Sequence, residues 1–393
     1  MKKNYLLTPG PTPVPPEVSA KEGLPVLHHR TSEFGVIFTE VIEGLKYVFQ
    51  TKNDVVMTTG SGTAALECAV VNLLSPGDTA LVASTGWFGD RFIKILENYN
   101  ITVIKIREAD GEVVIPSKVE DALKKNPQIK AVFATHTETS TGVVNPIEEI
   151  GKIVARTPAV FVVDSVSGLA GQDLQTDNWN IDVVCTGSQK GLMTAPGLAM
   201  ASISPKAWPL IEASKSPRFY FDFRKMKKSV AEKQTPFTPA VSVVVAQAEA
   251  LRQIKQEGLQ NVFARHEWMA LATRAGVKAL GFNLFAKVPC NVLTSVALPA
   301  TLNGKTIVKR MREEYGVSIA GGQGDLDGKI IRLGHMGYMD RFDVIIGLSA
   351  FEMMLKDMGH PVELGKGVAA AQHLLVAPPK KAVAQTPAAV GAR

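Results

Sequence analysis

Between Asp54 and about residue 205, short apolar runs alternate with stretches whose apolar residues recur at helical spacing. The short runs fall at 54–58, 79–84, 101–106, 130–135, 159–164, 181–185 and 198–203, and the helical stretches at 64–74, 88–98, 117–125 and 146–155. Near-continuous apolar runs suit strands that are covered on both faces. A helix between successive runs supplies the crossover that parallel neighbours need. The pattern predicts an α/β fold, with a mainly parallel sheet sandwiched by helices.

The flanking regions read differently. Residues 33–50 place Phe34, Ile37, Phe38, Val41, Leu45 and Val48 on one helical face. Residues 241–280 form a long helical region broken near Gly258, which leads into a smaller α+β domain. Strands are expected there at 291–298 and 329–333, and helices at 304–315 and 340–357. The first 18 residues are rich in Pro and are expected to form an extended arm lying on another surface, such as a partner subunit. Residues 367–393 are small, Pro-containing and low in aromatics, and are expected to be disordered. The division is thus an arm (1–18), a large domain (19–255), a small domain (256–366) and a tail (367–393), with no internal repeat.

At 393 residues, with 46% hydrophobic and 20% charged residues, the chain has the composition of a globular enzyme. The net charge is +6, but Lys380, Lys381 and Arg393 lie in an acid-free tail, leaving about +3 for the rest. That balance and the lack of a recognised binding motif argue against a nucleic-acid partner. The basic stretch from Arg218 to Lys228 reads as a solvated helix face. Cys68, Cys185 and Cys290 form no C-x-x-C pair, so no metal, iron–sulfur cluster or disulfide framework is expected. The Pro-rich start leaves no room for a signal peptide, and no run reaches membrane-spanning length, so a cytoplasmic protein is expected.

Two of the apolar runs end in groups that chemistry can use. Phe161-Val162-Val163 leads to Asp164, and Val183-Val184-Cys185 leads through Thr186-Gly187-Ser188-Gln189 to Lys190. A carboxylate and an amine at neighbouring strand ends suit a pyridoxal-phosphate enzyme, although ordinary strand-end polar residues fit the pair as well. Thr59-Gly60-Ser61-Gly62-Thr63 opens a helix, where backbone N–H groups favour an anion, but many such turns use Gly and Ser only for geometry. Trp87 follows a strand and a Gly; it can stack on a flat ring or simply pack. The hydroxyls of His136-Thr137-Glu138-Thr139-Ser140-Thr141 can contact a ligand or cap a helix, and His136 reads as a structural hydrogen-bonder. Arg332 ends an apolar strand, where it can grip a carboxylate through two parallel hydrogen bonds or form a salt bridge. Thr235-Pro236-Phe237-Thr238-Pro239 cannot be regular structure.

Taken in order, these residues resemble the class V aminotransferases of fold type I, in particular the alanine–glyoxylate and serine–glyoxylate aminotransferase group. The resemblance runs from about Thr8 to Met358. It rests on Pro9-Gly10-Pro11, Tyr47 to Thr51, Ser61-Gly62-Thr63, Trp87, Glu138 to Gly142, Asp164, Gly187 to Lys190, Thr235 to Pro239 and Arg332-Leu333-Gly334. It implies a seven-stranded-type sheet and pyridoxal 5'-phosphate as cofactor. Lys190 resembles the Schiff-base lysine and proton shuttle, and Asp164 the partner of the pyridinium nitrogen. Trp87 would stack on the ring. Ser61, Gly62, Thr63 and Gln189 would hold the phosphate, and Thr139 would lie near the phenolic oxygen. Gly10 and Arg332 would meet the substrate, with Arg332 on its carboxylate. Thr235 and Thr238 match a segment that reaches the neighbouring subunit's cofactor, which implies a homodimer with shared sites. Thr63 and Thr235 depart from the His and Tyr of animal relatives.

The implied reaction is ping-pong transfer of an amino group from serine or alanine to a 2-oxo acid such as glyoxylate. No second arginine has a comparable claim on a distal carboxylate, so Glu and Asp are expected to be poorer donors. Two rivals remain. A cysteine desulfurase would need an activated thiol, and Gln189 stands where that group usually has His. Some relatives carry the label of a soluble-hydrogenase subunit, a role that would work through a partner.

Overall fold

The chain is described here by a computed structural model covering residues 3–379. Seven strands form one sheet: β1 (Asp54–Gly60), β2 (Thr79–Ser84), β3 (Thr102–Arg107), β4 (Ile129–Thr135), β5 (Val160–Asp164), β6 (Val183–Gly187) and β7 (Gly197–Ile203). Their order is β1-β7-β6-β5-β4-β2-β3, and β7 alone runs antiparallel to its neighbours. β5 and β6 are buried along their whole length, which explains their unbroken apolar sequences. Successive side chains still alternate. Phe161 and Val163 enter one core with the helices Ser32–Phe49, Ile147–Val154 and Val241–Glu257. Val160 and Val162 enter the other, with Gly62–Leu73 and Trp87–Asn98.

A further core is built around the helix Leu259–Ala279, the antiparallel strands Leu293–Ala297 and Ile330–Gly334, and the helix Arg341–Asp357. Gly258 separates the two long helices with φ +86°, a conformation that favours glycine. Among the described residues, no helix is long and apolar enough to cross a membrane.

Two expectations need correction. The arm is not wholly extended: Pro16 opens the helix Pro16–Glu22, where a first-turn proline costs no hydrogen bond. Before it, Tyr5–Leu6 pairs with Val317–Ser318 of the same chain, so this part of the arm lies against its own chain. The tail is not structureless from 367. Lys366–Leu375 is a helix with Ala371 and Leu375 buried. Its small residues allow close approach: a Cβ on Gly276 would stand 2.9 Å from the Gly367 carbonyl oxygen. The buried Glu352 carboxylate accepts the N–H groups of Gly365, Gly367 and Val368 at 2.5, 2.7 and 2.9 Å, satisfying the helix start. Residues 380–393 lie outside the described residues.

Candidate active site

In an open, largely parallel sheet the carboxyl ends of the strands share one edge, and ligands bind outside it. The loops after β1, β2, β4, β5 and β6 meet there around a cavity of about 230 Å³. Asp164 is the last residue of β5, and Lys190 follows β6 after one turn. Two opposing shifts bring their proton affinities together. Burial pushes the Asp164 carboxyl up to about 7, and Glu138 adds to it. The Val166 N–H at 2.9 Å and the charges of Arg91 and Lys190 oppose this. Burial brings the Lys190 amine down to about 8, reinforced by the charges of Arg332 and Arg91 and resisted by Asp164.

The arm closes one side of the cavity. Lys190 Nζ donates to the Pro9 carbonyl at 2.5 Å, and Thr12 Oγ1 donates to the Lys190 carbonyl at 3.0 Å. Gly10 has φ +133°, and a Cβ there would lie 2.1 Å from Lys190 Nζ, so no side chain fits between arm and lysine.

Ser61 stands at the N-cap position of the helix Gly62–Leu73, without a side-chain capping bond, and the first turn of that helix faces the cavity. A Cβ on Gly62 would meet Val166 Cγ2 at 2.6 Å, so glycine lets this turn sit against the loop after Asp164. Thr63 Oγ1 accepts from Arg91 Nη1 at 2.8 Å. Thr139 Oγ1 and Ser167 Oγ lie 2.5 Å apart on the same wall. Gln189 Oε1 and Thr137 Oγ1 are buried without a hydrogen-bond partner, and both residues line the cavity. Such groups call for a polar ligand. Gly10, Ser61, Gly62, Thr63, Thr139, Asp164, Gln189 and Lys190 are therefore brought together, and their donors suit a phosphate-bearing, ring-nitrogen cofactor.

Arg332 sits at the margin. It lies on Ile330–Gly334, with Nε donating to the Gly321 carbonyl at 2.8 Å and Nη1 to the Thr139 carbonyl at 2.7 Å. Burial lowers it to about 10, and Glu138 opposes the shift.

Trp87 is misplaced by the sequence reading. It is 40% exposed, with Lys94 Nζ 4.7 Å from its ring centre, and it does not line the cavity. Phe88 does, as does Arg91 one turn on. Three-residue spacing puts these two on one helix face and was the signal available. Their helix is fixed by Glu138, buried beneath its first turn, whose carboxylate accepts the N–H groups of Phe88 and Gly89 at 3.1 and 3.0 Å. Ser140 Oγ donates to that carboxylate at 2.5 Å and accepts from the Trp87 N–H at 3.0 Å. Glu138 is thus a buried polar anchor. Arg91 also means that the cavity holds an arginine besides the marginal Arg332.

Thr235 and Thr238 lie away from this chain's cavity. Thr235 Oγ1 donates to the Phe237 carbonyl at 2.7 Å, and Thr238 is exposed. His136 is buried, lowered to about 4 by desolvation, and within 3.1 Å of Ser165 Oγ. Cys68, Cys185 and Cys290 are buried, and burial raises all three thiols, which suits packing rather than nucleophilic attack.

The profile of the family described as Aminotransferase class-V matches residues 4–325. The L-aspartate–glyoxylate aminotransferase of Paracoccus denitrificans is 36% identical, over 94% of this chain and 96% of its own. A protein named soluble hydrogenase 42 kDa subunit, from Anabaena cylindrica, is 40% identical over 94% and 98%. The solved ureidoglycine–glyoxylate aminotransferase of Bacillus subtilis superposes with a TM-score of 0.90 at 30% identity, covering 95% of this chain and 98% of its own. The chain belongs to the class-V aminotransferases. It is an aminotransferase that uses pyridoxal phosphate.

Proposed function

We propose that the enzyme moves an amino group from a small amino acid, serine or alanine, to a 2-oxo acid such as glyoxylate, in two half-reactions at one site. The observation that carries this is the placement of Lys190 and Asp164 on the cavity floor, with Arg332 at its margin. Pyridoxal phosphate supplies an aldehyde that takes up the amino group and a ring that draws electrons from the substrate's Cα. Asp164 holds a proton on the ring nitrogen. Lys190 Nζ, which burial brings down to about 8 and so within reach of losing its proton, takes the proton from Cα and returns it. Arg332 grips the α-carboxylate and turns the Cα–H bond toward Lys190. Ser61, Gly62, Thr63 and Gln189 hold the phosphate, and Phe88 covers the ring face. Thr235 and Thr238, remote from this chain's own cavity, complete the partner's site in a homodimer.

Arg91 and the aspartate-using relative support a second reading, in which a dicarboxylic donor is taken. The test is the single-turnover rate of 2-oxo acid formation when the loaded enzyme meets each donor without an acceptor. Serine and alanine are expected to give faster product formation than aspartate and glutamate. The reverse order would establish the second reading.

A further inference from the structure

Arg91 lines the cavity from the helix Trp87–Asn98, and among the described residues no carboxylate forms an ion pair with it. Its neighbour Asp90 is engaged by Arg107 at 3.0 Å. A partly buried guanidinium without an anion is costly, so a charge of this kind facing a cavity is one that a bound anion completes. Its plane is kept in place by the Phe88 ring, whose centre lies 4.7 Å from Cζ.

The contact with Thr63 says where that anion sits. Arginine has no acceptor, so the 2.8 Å bond from Nη1 makes Thr63 Oγ1 the acceptor. The hydroxyl's own hydrogen is then left to donate to a further oxygen. Thr63 stands in the first turn of the helix Gly62–Leu73, beside backbone N–H groups that have no partner within the helix. The charge, the directed hydroxyl and the helix start thus converge on one end of the cavity. Arg332 lies apart from it, on the small-domain strand.

We propose that Arg91 is the cation of the cofactor's phosphate cradle, acting both by its charge and by aiming the Thr63 hydroxyl at a phosphate oxygen. The inference rests on the assignment of Ser61, Gly62 and Thr63 to the phosphate. A phosphate ester carries close to two negative charges, more than one helix start and one hydroxyl offset. Arg91 is therefore a cofactor-binding residue and is not available to a substrate's distal carboxylate.

The test is an equilibrium titration of cofactor-free protein with pyridoxal phosphate and, separately, with pyridoxal, which has the same ring and aldehyde but no phosphate. Visible absorbance reports binding, and circular dichroism confirms that each variant is folded. Arg91→Gln is expected to weaken pyridoxal phosphate by roughly tenfold or more while leaving pyridoxal within about twofold. Thr63→Ala is expected to weaken pyridoxal phosphate less. The double variant should lose less than the product of the two single losses, because one variant already removes the shared contact. Lys94→Gln, which removes an exposed charge from the same helix, should change neither titration. If Arg91→Gln weakens both ligands alike, Arg91 merely supports Phe88 and the inference fails. If it alters neither titration but slows turnover of aspartate relative to alanine, Arg91 reads the substrate and the inference also fails. If the unaltered protein takes up pyridoxal phosphate no better than pyridoxal, the phosphate assignment itself falls.

Discussion

Lys190, half-buried, and Arg332, buried, are both cations beside one cavity, yet only the lysine is brought within reach of losing its charge at neutral pH. Lys190 starts from an ammonium value of 10.5, has one backbone acceptor, the Pro9 carbonyl, and falls to about 8. Arg332 starts from 12.5, gives hydrogen bonds to two backbone carbonyls, and stays charged at about 10. Similar desolvation thus leaves a titratable amine in the turn after β6 and a fixed charge on the strand Ile330–Gly334. Both fall by a similar amount, so the difference lies in where each group starts.

The sharpest way to break this comparison is to give each site the other's cation. Lys190→Arg keeps a positive charge but cannot release a proton, and a loss on the order of 10³-fold or more in turnover is expected. Arg332→Lys keeps charge and loses the planar fork. A loss of roughly 10- to 100-fold in kcat/KM is expected, carried mainly by KM. Steady-state kinetics on both variants checks this; equal losses in kcat would contradict the division of labour.

The next test concerns Asp164, whose carboxyl is held at about 7 in the folded chain against 3.8 for the free group. As pH rises from about 4 to about 7, the unfolded chain gives up this proton first, so the group's contribution to stability falls across that window. Cofactor-free Asp164→Asn lacks this loss. It should gain on the unaltered chain between pH 4.5 and pH 8, by about 1–4 kcal/mol in urea melts. A gap that does not change with pH would contradict the burial argument.

The smallest expected effect separates two adjacent aromatic residues. Phe88→Ala should weaken pyridoxal phosphate by roughly tenfold in a binding titration, because a stacking wall is lost, whereas Trp87→Ala should stay within about twofold.

That last pair also marks where sequence reading stopped. The inner strands were legible because burial on both sheet faces writes itself as unbroken apolar runs, whereas the edge strand β3 is only partly buried, and the ends of β5 and β6 displayed Asp164 and Lys190 directly. The break at Gly258 was legible for the same local reason: a glycine interrupts an otherwise continuous helical period. Trp87 and Phe88 differ only in rotational phase about their helix, which depends on how Glu138 grips the first turn from another loop. That is a tertiary contact with no local trace. The helix Lys366–Leu375 was missed because its packing on Leu259–Ala279 and its cap by Glu352 are tertiary contacts that leave no local trace. Thr235 and Thr238 were singled out through family resemblance, and nothing within one chain draws them to the cavity.

The central claim is that Lys190 is the amine that bonds to the cofactor and carries the proton. Borohydride reduction of the protein with bound pyridoxal phosphate, followed by peptide mass analysis, tests it most directly. The account predicts a single stoichiometric reduced adduct on the peptide containing Lys190. An adduct on another lysine, or a tightly bound cofactor that leaves Lys190 unmodified, would contradict it.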